Sequence, residues 1–262
     1  MKLFSRAFGE GENALLILPG LLGSSANWQS IAKRLGQRRA VYALDMRNHG
    51  QSPWSDRMDY PAMAEDVLDF ITGLDHQSIS LLGHSMGGKA AMRLALSAPR
   101  EIDSLIVADI APVPYEHDFE ELIEPMLALD LSRYSSRSQA DAALQASVAE
   151  ASIRAFLLHN LGFDSERKRY YWRPNLEVLL QNMHNITGFE LGPGEHYDRP
   201  TLFIYGTGSN YVSGEHGELI ARYFPAARFE GLEGAGHWLH AEQPRAFIHA
   251  CEAFFDMTTA GV

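Results

Sequence analysis

Short apolar runs alternate with segments of helical periodicity in the first part of the chain. A run that is apolar throughout is typical of a strand buried on both faces, whereas apolar residues three or four apart indicate a helix. The predicted strands are Lys2–Phe8 at an edge, Ala14–Leu18, Ala40–Leu44, Ile79–Leu82 and Ser104–Ile110. The predicted helices between them are Asn27–Leu35, Tyr60–Leu74 and Gly87–Ala98. This alternation predicts an α/β fold with a mostly parallel central sheet and helices on both faces.

The alternation stops after Pro114 and resumes near residue 190. Within the intervening segment the pattern shows no convincing strand, and the predicted helices are Phe119–Leu129, Ser138–Leu158 and Leu176–Met183. The later elements are strands Thr201–Tyr205 and Arg228–Leu232 and helices Gly217–Phe224 and Pro244–Phe255. An all-helical insertion of this kind predicts a cap over the carboxyl edge of the sheet. We therefore predict a core of residues 1–114 and 190–262 and a helical cap of residues 115–189.

The composition narrows the class of protein without defining its activity. A chain of 262 residues suits one large domain, and its net charge of −11 disfavours binding to nucleic acid or anionic lipid. The single cysteine, Cys251, excludes a disulfide framework, and its apolar neighbours indicate burial. No apolar run approaches the ~18 residues of a membrane span, and residues 1–13 lack the apolar segment of a secretory signal. We therefore expect a reduced, cytoplasmic protein.

One serine follows a predicted strand and precedes a predicted helix. Ser85 lies in Gly83–Gly87, with the sequence Gly-His-Ser-Met-Gly, directly after Ile79–Leu82. The spacing Gly-x-Ser-x-Gly is typical of a nucleophile elbow, in which glycines let the strand and the helix approach closely. The helix N-terminus then directs backbone N–H groups toward the serine. A serine that only caps the helix is the alternative interpretation, and the strand–turn–helix context favours the nucleophile.

His237 is the candidate general base for this serine, which needs one within hydrogen-bond reach. It follows two glycines in Gly234–Trp238, where a tight loop can present the ring over the sheet edge. His84 is expected to face away from the elbow and to act as scaffold.

The acid that orients such a histidine commonly follows the strand predicted at Thr201–Tyr205, but Ser209 occupies that position. Asp109 ends the strand next to that of Ser85 and can approach the histidine from the other side. A turn-forming role is the alternative for Asp109, and Glu215 is the alternative acid. The pattern favours Asp109.

Two backbone N–H groups are candidates for an oxyanion hole. One belongs to Met86, directly after the serine, and the other to Leu21, directly after Pro19-Gly20. The sequence contains no metal-ligand spacing, and no glycine fingerprint for a dinucleotide or triphosphate follows the first strand. We therefore predict no metal and no cofactor.

Several segments together resemble the α/β-hydrolase superfamily and, within it, the YbfF-type bacterial esterases and related abhydrolase-domain proteins. They are Leu81–Ala90, Asp109–Val113, Trp172–Leu176 and Gly236–Glu242. The resemblance implies an acid on the strand after the nucleophile, and cleavage of short to medium acyl esters or acyl-coenzyme A thioesters without a cofactor. Two residues depart from the family pattern: Pro19 replaces a histidine before the oxyanion glycine, and Asn48 replaces a glycine in a turn. Asparagine tolerates a left-handed backbone, so we expect that turn to persist.

The small-molecule ester is expected to contact Trp172 in the cap and Tyr211 beside the position that Ser209 occupies. The cap also carries arginines that could bind an anionic leaving group, but acids such as Glu116, Asp118 and Glu120 favour a solvated face. The basic residues of the cap are Arg133, Arg137, Arg154, Arg167, Lys168, Arg169 and Arg173.

A lyase or acyltransferase on the same fold, and a non-catalytic binding protein, are the alternative functions. The sequence does not predict the oligomeric state.

Overall fold

A seven-stranded sheet forms the centre of the computed structural model, which describes residues 1–116 and 119–259. The strands in chain order are β1 (Ser5–Phe8), β2 (Asn13–Leu18), β3 (Ala40–Leu44), β4 (Ser78–His84), β5 (Ser104–Ala108), β6 (Leu161–Asp164), β7 (Arg169–Trp172), β8 (Thr201–Gly206) and β9 (Ala227–Leu232). The order across the sheet is β1-β3-β2-β4-β5-β8-β9, and β6 and β7 form a separate pair. Neighbours in the large sheet are parallel except β1 with β3. The predicted edge strand and mostly parallel sheet are confirmed.

Helices cover both faces of this sheet, as the sequence predicts. They are α1 (Gln29–Leu35), α2 (Tyr60–Thr72), α3 (Met86–Ser97), α4 (Glu120–Ala128), α5 (Arg137–Leu144), α6 (Ala151–Leu158), α7 (Leu176–Gln181), α8 (Met183–Thr187), α9 (Gly217–Tyr223), α10 (Leu239–Glu242) and α11 (Pro244–Thr259). Alternate side chains of a strand point to opposite faces. Leu16 of β2 therefore packs with α2 and α3, whereas Leu15 and Ile17 pack with α1 and α11. Cys251 on α11 is fully buried and unpaired, as expected.

The segment predicted as a cap leaves the sheet after β5 and returns before β8. The carboxyl ends of β4, β5 and β8 lie side by side at that edge. Asp118, one of the acids considered for the cap surface, lies outside the described residues. The cap therefore adjoins the sheet edge at which Ser85 follows β4.

The prediction of an all-helical cap is wrong, because β6 and β7 pair as an antiparallel hairpin. Its strands have four residues each, and β7 alternates exposed and half-buried side chains, which favours aromatic residues such as Tyr170 and Trp172. The predicted helix Ser138–Leu158 is also divided, into α5 and α6. Arg154 of α6 fixes this break, because its guanidinium binds Asp141 of α5 and the carbonyls of residues 148 and 149.

Three side chains bind backbone carbonyls of a distant segment where the cap meets the core. Buried donors of this kind are each worth about 1 kcal/mol net, and leaving the acceptors unpaired costs more. These bonds run from Tyr60 Oη to Ile186 O (2.5 Å), from Lys89 Nζ to Thr187 O (2.7 Å) and Gly188 O (2.9 Å), and from Asn160 Nδ2 to Leu22 O (2.8 Å).

The turn at Asn48 persists as expected. Its φ is 63°, and the oxygen and nitrogen of its side-chain amide both bond to the backbone of Ser55.

Candidate active site

Ser85 occupies a strained turn between β4 and α3. Its φ of 52° lies in the left-handed region, which residues other than glycine rarely adopt. Its backbone N–H donates a hydrogen bond to Ala108 O at 3.0 Å. The serine stands at the N-cap of α3, but its side chain forms no capping hydrogen bond. The interpretation of Ser85 as a simple helix cap therefore has no support in the geometry.

The two glycines of the elbow are required by close backbone contacts. A Cβ on Gly83 would lie 2.3 Å from Gly87 O, and a Cβ on Gly87 would lie 2.1 Å from Leu18 O. Both distances are far below van der Waals contact, so no other residue fits without a backbone shift. The Gly-x-Ser-x-Gly spacing thus reflects the packing of α3 against β2 and β4.

Asp109 lies directly after β5, fully buried and with a φ of 51°. Its Oδ2 is 2.7 Å from His237 Nδ1 and accepts a hydrogen bond from Ser209 Oγ at 2.5 Å. Its Oδ1 accepts from Gly206 N at 3.1 Å. A carboxylate can only accept, so His237 carries its hydrogen on Nδ1 and presents Nε2 as an acceptor.

The other two candidate positions for the acid have different places in the structure. Ser209, where an aspartate was expected, supplies a hydroxyl donor to Asp109. Glu215 lies in a short 3₁₀ turn, Gly214–His216, and its side chain is exposed. Of the two carboxylates weighed from the sequence, the structure brings Asp109 into contact with His237.

The imidazole of His237 is held from several sides. Its loop joins β9 to α10, and Gly236 N donates to Glu242 Oε2 at 2.6 Å. His84 Nε2 donates to the backbone carbonyl of His237 at 2.8 Å, and Tyr211 stacks on the ring with centroids 4.0 Å apart. The loop and the stacked ring fix the imidazole, and the bond from His84 to the loop agrees with the expected scaffold role. The expectation that His84 faces away from the elbow is wrong, because its ring lines a cavity together with Ser85 and His237.

The two predicted oxyanion donors lie on segments that meet at Ser85. Met86 is the first residue of α3, so its N–H has no intrahelical acceptor. Gly20, which precedes Leu21, passes so near the nucleophile that a Cβ there would lie 3.2 Å from Ser85 Cβ. Gly23 N donates to Gly20 O at 2.9 Å, which closes the turn that follows Pro19. Leu21 and Met86 both border a cavity with Ser85.

Two cavities meet at Ser85, and both also contact Leu21 and Phe119. The outer cavity contains His237 and Phe156 in its wall. The inner cavity contains Tyr211, one of the two predicted substrate contacts, in its wall. Remaining wall residues of the inner cavity include Tyr60, Ile110, Tyr115 and Ile186. The site thus has one chamber on the side of the base and a second, mostly apolar chamber.

Trp172, the other predicted substrate contact, does not line either chamber. Its indole Nε1 donates to Met126 O at 2.8 Å, and its ring packs within the cap. The expectation for Trp172 is therefore corrected, because the hairpin turns this side chain into the cap interior. Two of the cap arginines bind groups of the cap itself: Arg137 donates to Leu158 O and Leu161 O, and Arg154 donates to Asp141.

Lys89 is a chemically important residue that sequence reasoning missed. It lines the inner chamber, is 1% exposed, and has its ammonium 4.8 Å from the centroid of the Tyr115 ring. Burial lowers the pKa of Lys89 to about 7, since the charged form is poorly solvated there. A lysine between two glycines and two alanines, in Gly87–Ala91, was the available signal.

Neither a metal centre nor a membrane span is present in the part of the chain that the structure describes. No group of three His, Cys, Asp or Glu side chains could hold a metal ion there. No described helix is long and apolar enough to cross a membrane.

Comparisons with known proteins identify the family to which the chain is similar. Residues 13–244 match a family model described as alpha/beta hydrolase fold. The chain is 40% identical over 244 residues to the sn-1-specific diacylglycerol lipase ABHD11 of Xenopus laevis, covering 90% of this chain and 77% of that one. It is 38% identical over 245 residues to esterase YbfF of Escherichia coli strain K12, covering 92% of each. A solved structure titled "Marine microorganism esterase" superposes with a TM-score of 0.93 at 37% identity, over 97% of this chain and 99% of that one.

Proposed function

Because the chain belongs to the α/β-hydrolase family, we propose that this ester hydrolase works through an acyl-enzyme formed on Ser85. The observation that carries the proposal is the 2.7 Å contact between Asp109 and His237, because His237 lines a cavity together with Ser85. A strained serine, an oriented imidazole and a buried carboxylate are the parts that nucleophilic acyl transfer needs.

The first half-reaction follows from the tautomer of His237. Nε2 accepts the Ser85 proton while Oγ attacks the ester carbonyl carbon, and the imidazolium then protonates the leaving alcohol. The N–H groups of Leu21 and Met86 hold the oxyanion, and removal of such a donor typically slows catalysis by about 100- to 1,000-fold. Water then cleaves the acyl-enzyme by the reverse sequence of proton transfers.

Asp109 acts by orienting the imidazole and by stabilising its charged form. Three donors, from His237, Ser209 and Gly206, converge on its two oxygens in a fully buried setting. These bonds fix the carboxylate, so it holds the hydrogen of His237 on Nδ1 without taking the proton itself.

The substrates we propose are esters of short to medium acyl chains, with acyl-coenzyme A thioesters as the related class. The inner chamber is small and lined mostly by apolar and aromatic side chains, which suits a compact acyl group. The outer chamber lies on the side of His237, where the leaving group must be protonated. The named activities of the relatives, an esterase and a diacylglycerol lipase, both describe cleavage of carboxylic esters.

A fluorophosphonate label tests the nucleophile directly. We expect intact-mass measurement to show one adduct on the wild type and none on Ser85→Ala, together with turnover of p-nitrophenyl esters by the wild type alone. A series of chain lengths defines the acyl preference. Turnover that requires an added alcohol would indicate an acyltransferase, and absence of the adduct would indicate a binding protein.

We also place the enzyme in the cytoplasm, with small molecules as its partners and nucleic acid excluded. The unpaired, buried Cys251 and the net charge of −11 support this assignment. Recovery of the esterase activity from a periplasmic or secreted fraction of its native cells would contradict it.

A further inference from the structure

Two imidazoles on the wall of the outer chamber have no part in the mechanism above. His84 ends β4 and His240 lies in α10, and both line this chamber together with Ser85 and His237. Their ring centroids are 4.8 Å apart. Burial lowers the pKa of His84 well below its usual range and that of His240 to about 3, and neighbouring histidines add to both shifts. Both rings are therefore neutral at neutral pH, and each has one donor and one acceptor nitrogen.

The tautomer of His84 follows from its backbone partner. Nε2 lies 2.8 Å from the carbonyl oxygen of His237, which can only accept, so Nε2 carries the hydrogen. Nδ1 is then a bare acceptor. It faces the oxyanion loop, since a Cβ on Gly20 would lie 3.0 Å from it.

The tautomer of His240 follows from burial. Its ring stacks on Trp28 with centroids 4.1 Å apart and planes 11° apart, which fixes its orientation. Nδ1 is buried and has no hydrogen-bond partner among the described residues. A buried N–H without an acceptor is rarer and costlier than an unused lone pair, so Nε2 carries the hydrogen. Of these two residues that line the chamber, His84 thus has an acceptor nitrogen without a hydrogen and His240 has a donor nitrogen.

We propose that His84 and His240 bind the acyl acceptor of the second half-reaction, a water molecule, and position it for attack on the acyl-enzyme. This inference rests on the proposed function. The water accepts a hydrogen bond from His240 Nε2 and donates one to His84 Nδ1. Its oxygen bonds to the acyl carbon while its other hydrogen passes to His237 Nε2. The bond from the acyl carbon to Ser85 Oγ then breaks, the imidazolium returns the proton to Oγ, and a carboxylic acid leaves.

This arrangement favours water over an alcohol as acceptor. Water has two hydrogens, one for His237 and one for His84 Nδ1. An alcohol has a single hydroxyl hydrogen, which the base must take, so His84 Nδ1 would lose its partner. A site built to satisfy two polar groups rejects a ligand that leaves one of them unpaired. His84 and His240 would therefore direct the acyl-enzyme toward hydrolysis and away from acyl transfer.

The test separates acylation from deacylation in His240 variants. His240→Phe keeps the stack on Trp28 and removes the donor, whereas His240→Gln restores an N–H at similar reach. With p-nitrophenyl acetate in stopped flow, we expect His240→Phe to acylate within about twofold of wild type and to deacylate about tenfold more slowly, as loss of one hydrogen bond implies. His240→Gln should recover most of the deacylation rate. With added methanol, His240→Phe should give a higher ratio of methyl ester to acid than wild type.

His49→Phe is the matched control, because His49 is also a buried imidazole with an unpartnered ring nitrogen but lines neither chamber. It should leave both steps and the methanol ratio unchanged. Equal slowing of acylation and deacylation in His240→Phe, or normal deacylation in both His240 variants, would overturn the acceptor site while the esterase mechanism stands. Failure of wild-type Ser85 to become acylated would overturn the proposed function, and the acceptor site with it.

Discussion

Asp109→Asn removes the charge next to His237 while keeping the shape of the side chain. Oδ2 accepts from His237 Nδ1 and Ser209 Oγ, and Oδ1 accepts from the backbone N–H of Gly206. If the asparagine places its NH₂ group toward His237, that group and the N–H of His237 Nδ1 are two donors facing each other. In the opposite orientation the NH₂ group faces the backbone N–H of Gly206, which is also a donor. Either arrangement leaves a buried donor without an acceptor.

The first orientation is the more damaging for catalysis. The Ser209 hydroxyl can rotate to accept from the new NH₂, but the N–H at His237 Nδ1 cannot, so the ring adopts the tautomer with hydrogen on Nε2. That nitrogen must be free to accept the Ser85 proton. Replacement of the aspartate in a Ser-His-Asp triad by asparagine lowers kcat by about 10,000-fold, which corresponds to about 5 kcal/mol at the transition state.

The assay is kcat for a p-nitrophenyl ester, measured beside thermal unfolding to show that the variant is folded. Glu215→Gln is the control, because that carboxylate is exposed, and it should stay within about twofold of wild type. A folded Asp109→Asn enzyme with nearly normal kcat would refute the orienting role of Asp109. A large loss in Glu215→Gln with little loss in Asp109→Asn would assign the acid to Glu215.

Three further outcomes follow from contacts outside the Asp109 site. Gly87→Ala should destabilise the fold by about 3 kcal/mol in urea unfolding, because its Cβ would meet Leu18 O at 2.1 Å; an unchanged midpoint would contradict this. Asn160→Ala should lower kcat by about tenfold, because the carbonyl of Leu22 in the oxyanion loop loses its donor, and an unchanged kcat would remove that role. Burial lowers the pKa of Lys89 to about 7, below that of an exposed lysine, so the unfolded chain binds more protons above pH 7 and stability rises with pH. Between about pH 7 and pH 9.5 the wild type should gain up to about 3 kcal/mol relative to Lys89→Met, and equal pH profiles of unfolding would count against a depressed pKa.

The apolar runs predicted the sheet because its central strands are buried on both faces. Leu15–Leu18 of β2 are fully buried, so no polar residue interrupts the run. The hairpin of β6 and β7 escaped prediction since its strands are short, partly exposed and joined by charged residues. The break between α5 and α6 depends on Arg154, whose partners lie up to 13 residues away. Local periodicity carries no information about such a contact.

The site residues that could be predicted are those that lie within a recognisable local motif. Ser85 has two glycines beside it, and His237 follows a glycine-rich turn. The partners of His84 and His240 lie in segments far apart in the chain, so nothing adjacent marks those rings. The sequence suggests Trp172 as a substrate contact because it is an apolar residue of the predicted cap, and its contact with Met126 shows that the hairpin directs it elsewhere.

The position of the acid depends on sheet order more than on any local motif. β5 lies between β4 and β8, so the ends of β5 and β8 both face the loop of His237. Asp109 reaches the imidazole from β5 at the cost of a left-handed backbone, which its N–H bond to Ile204 O at 2.8 Å holds in place. With the charge supplied from β5, a carboxylate after β8 would meet a like charge about 2.5 Å away, where Ser209 Oγ now donates. The serine at position 209 therefore complements the aspartate at position 109, and we propose that the two residues together orient His237.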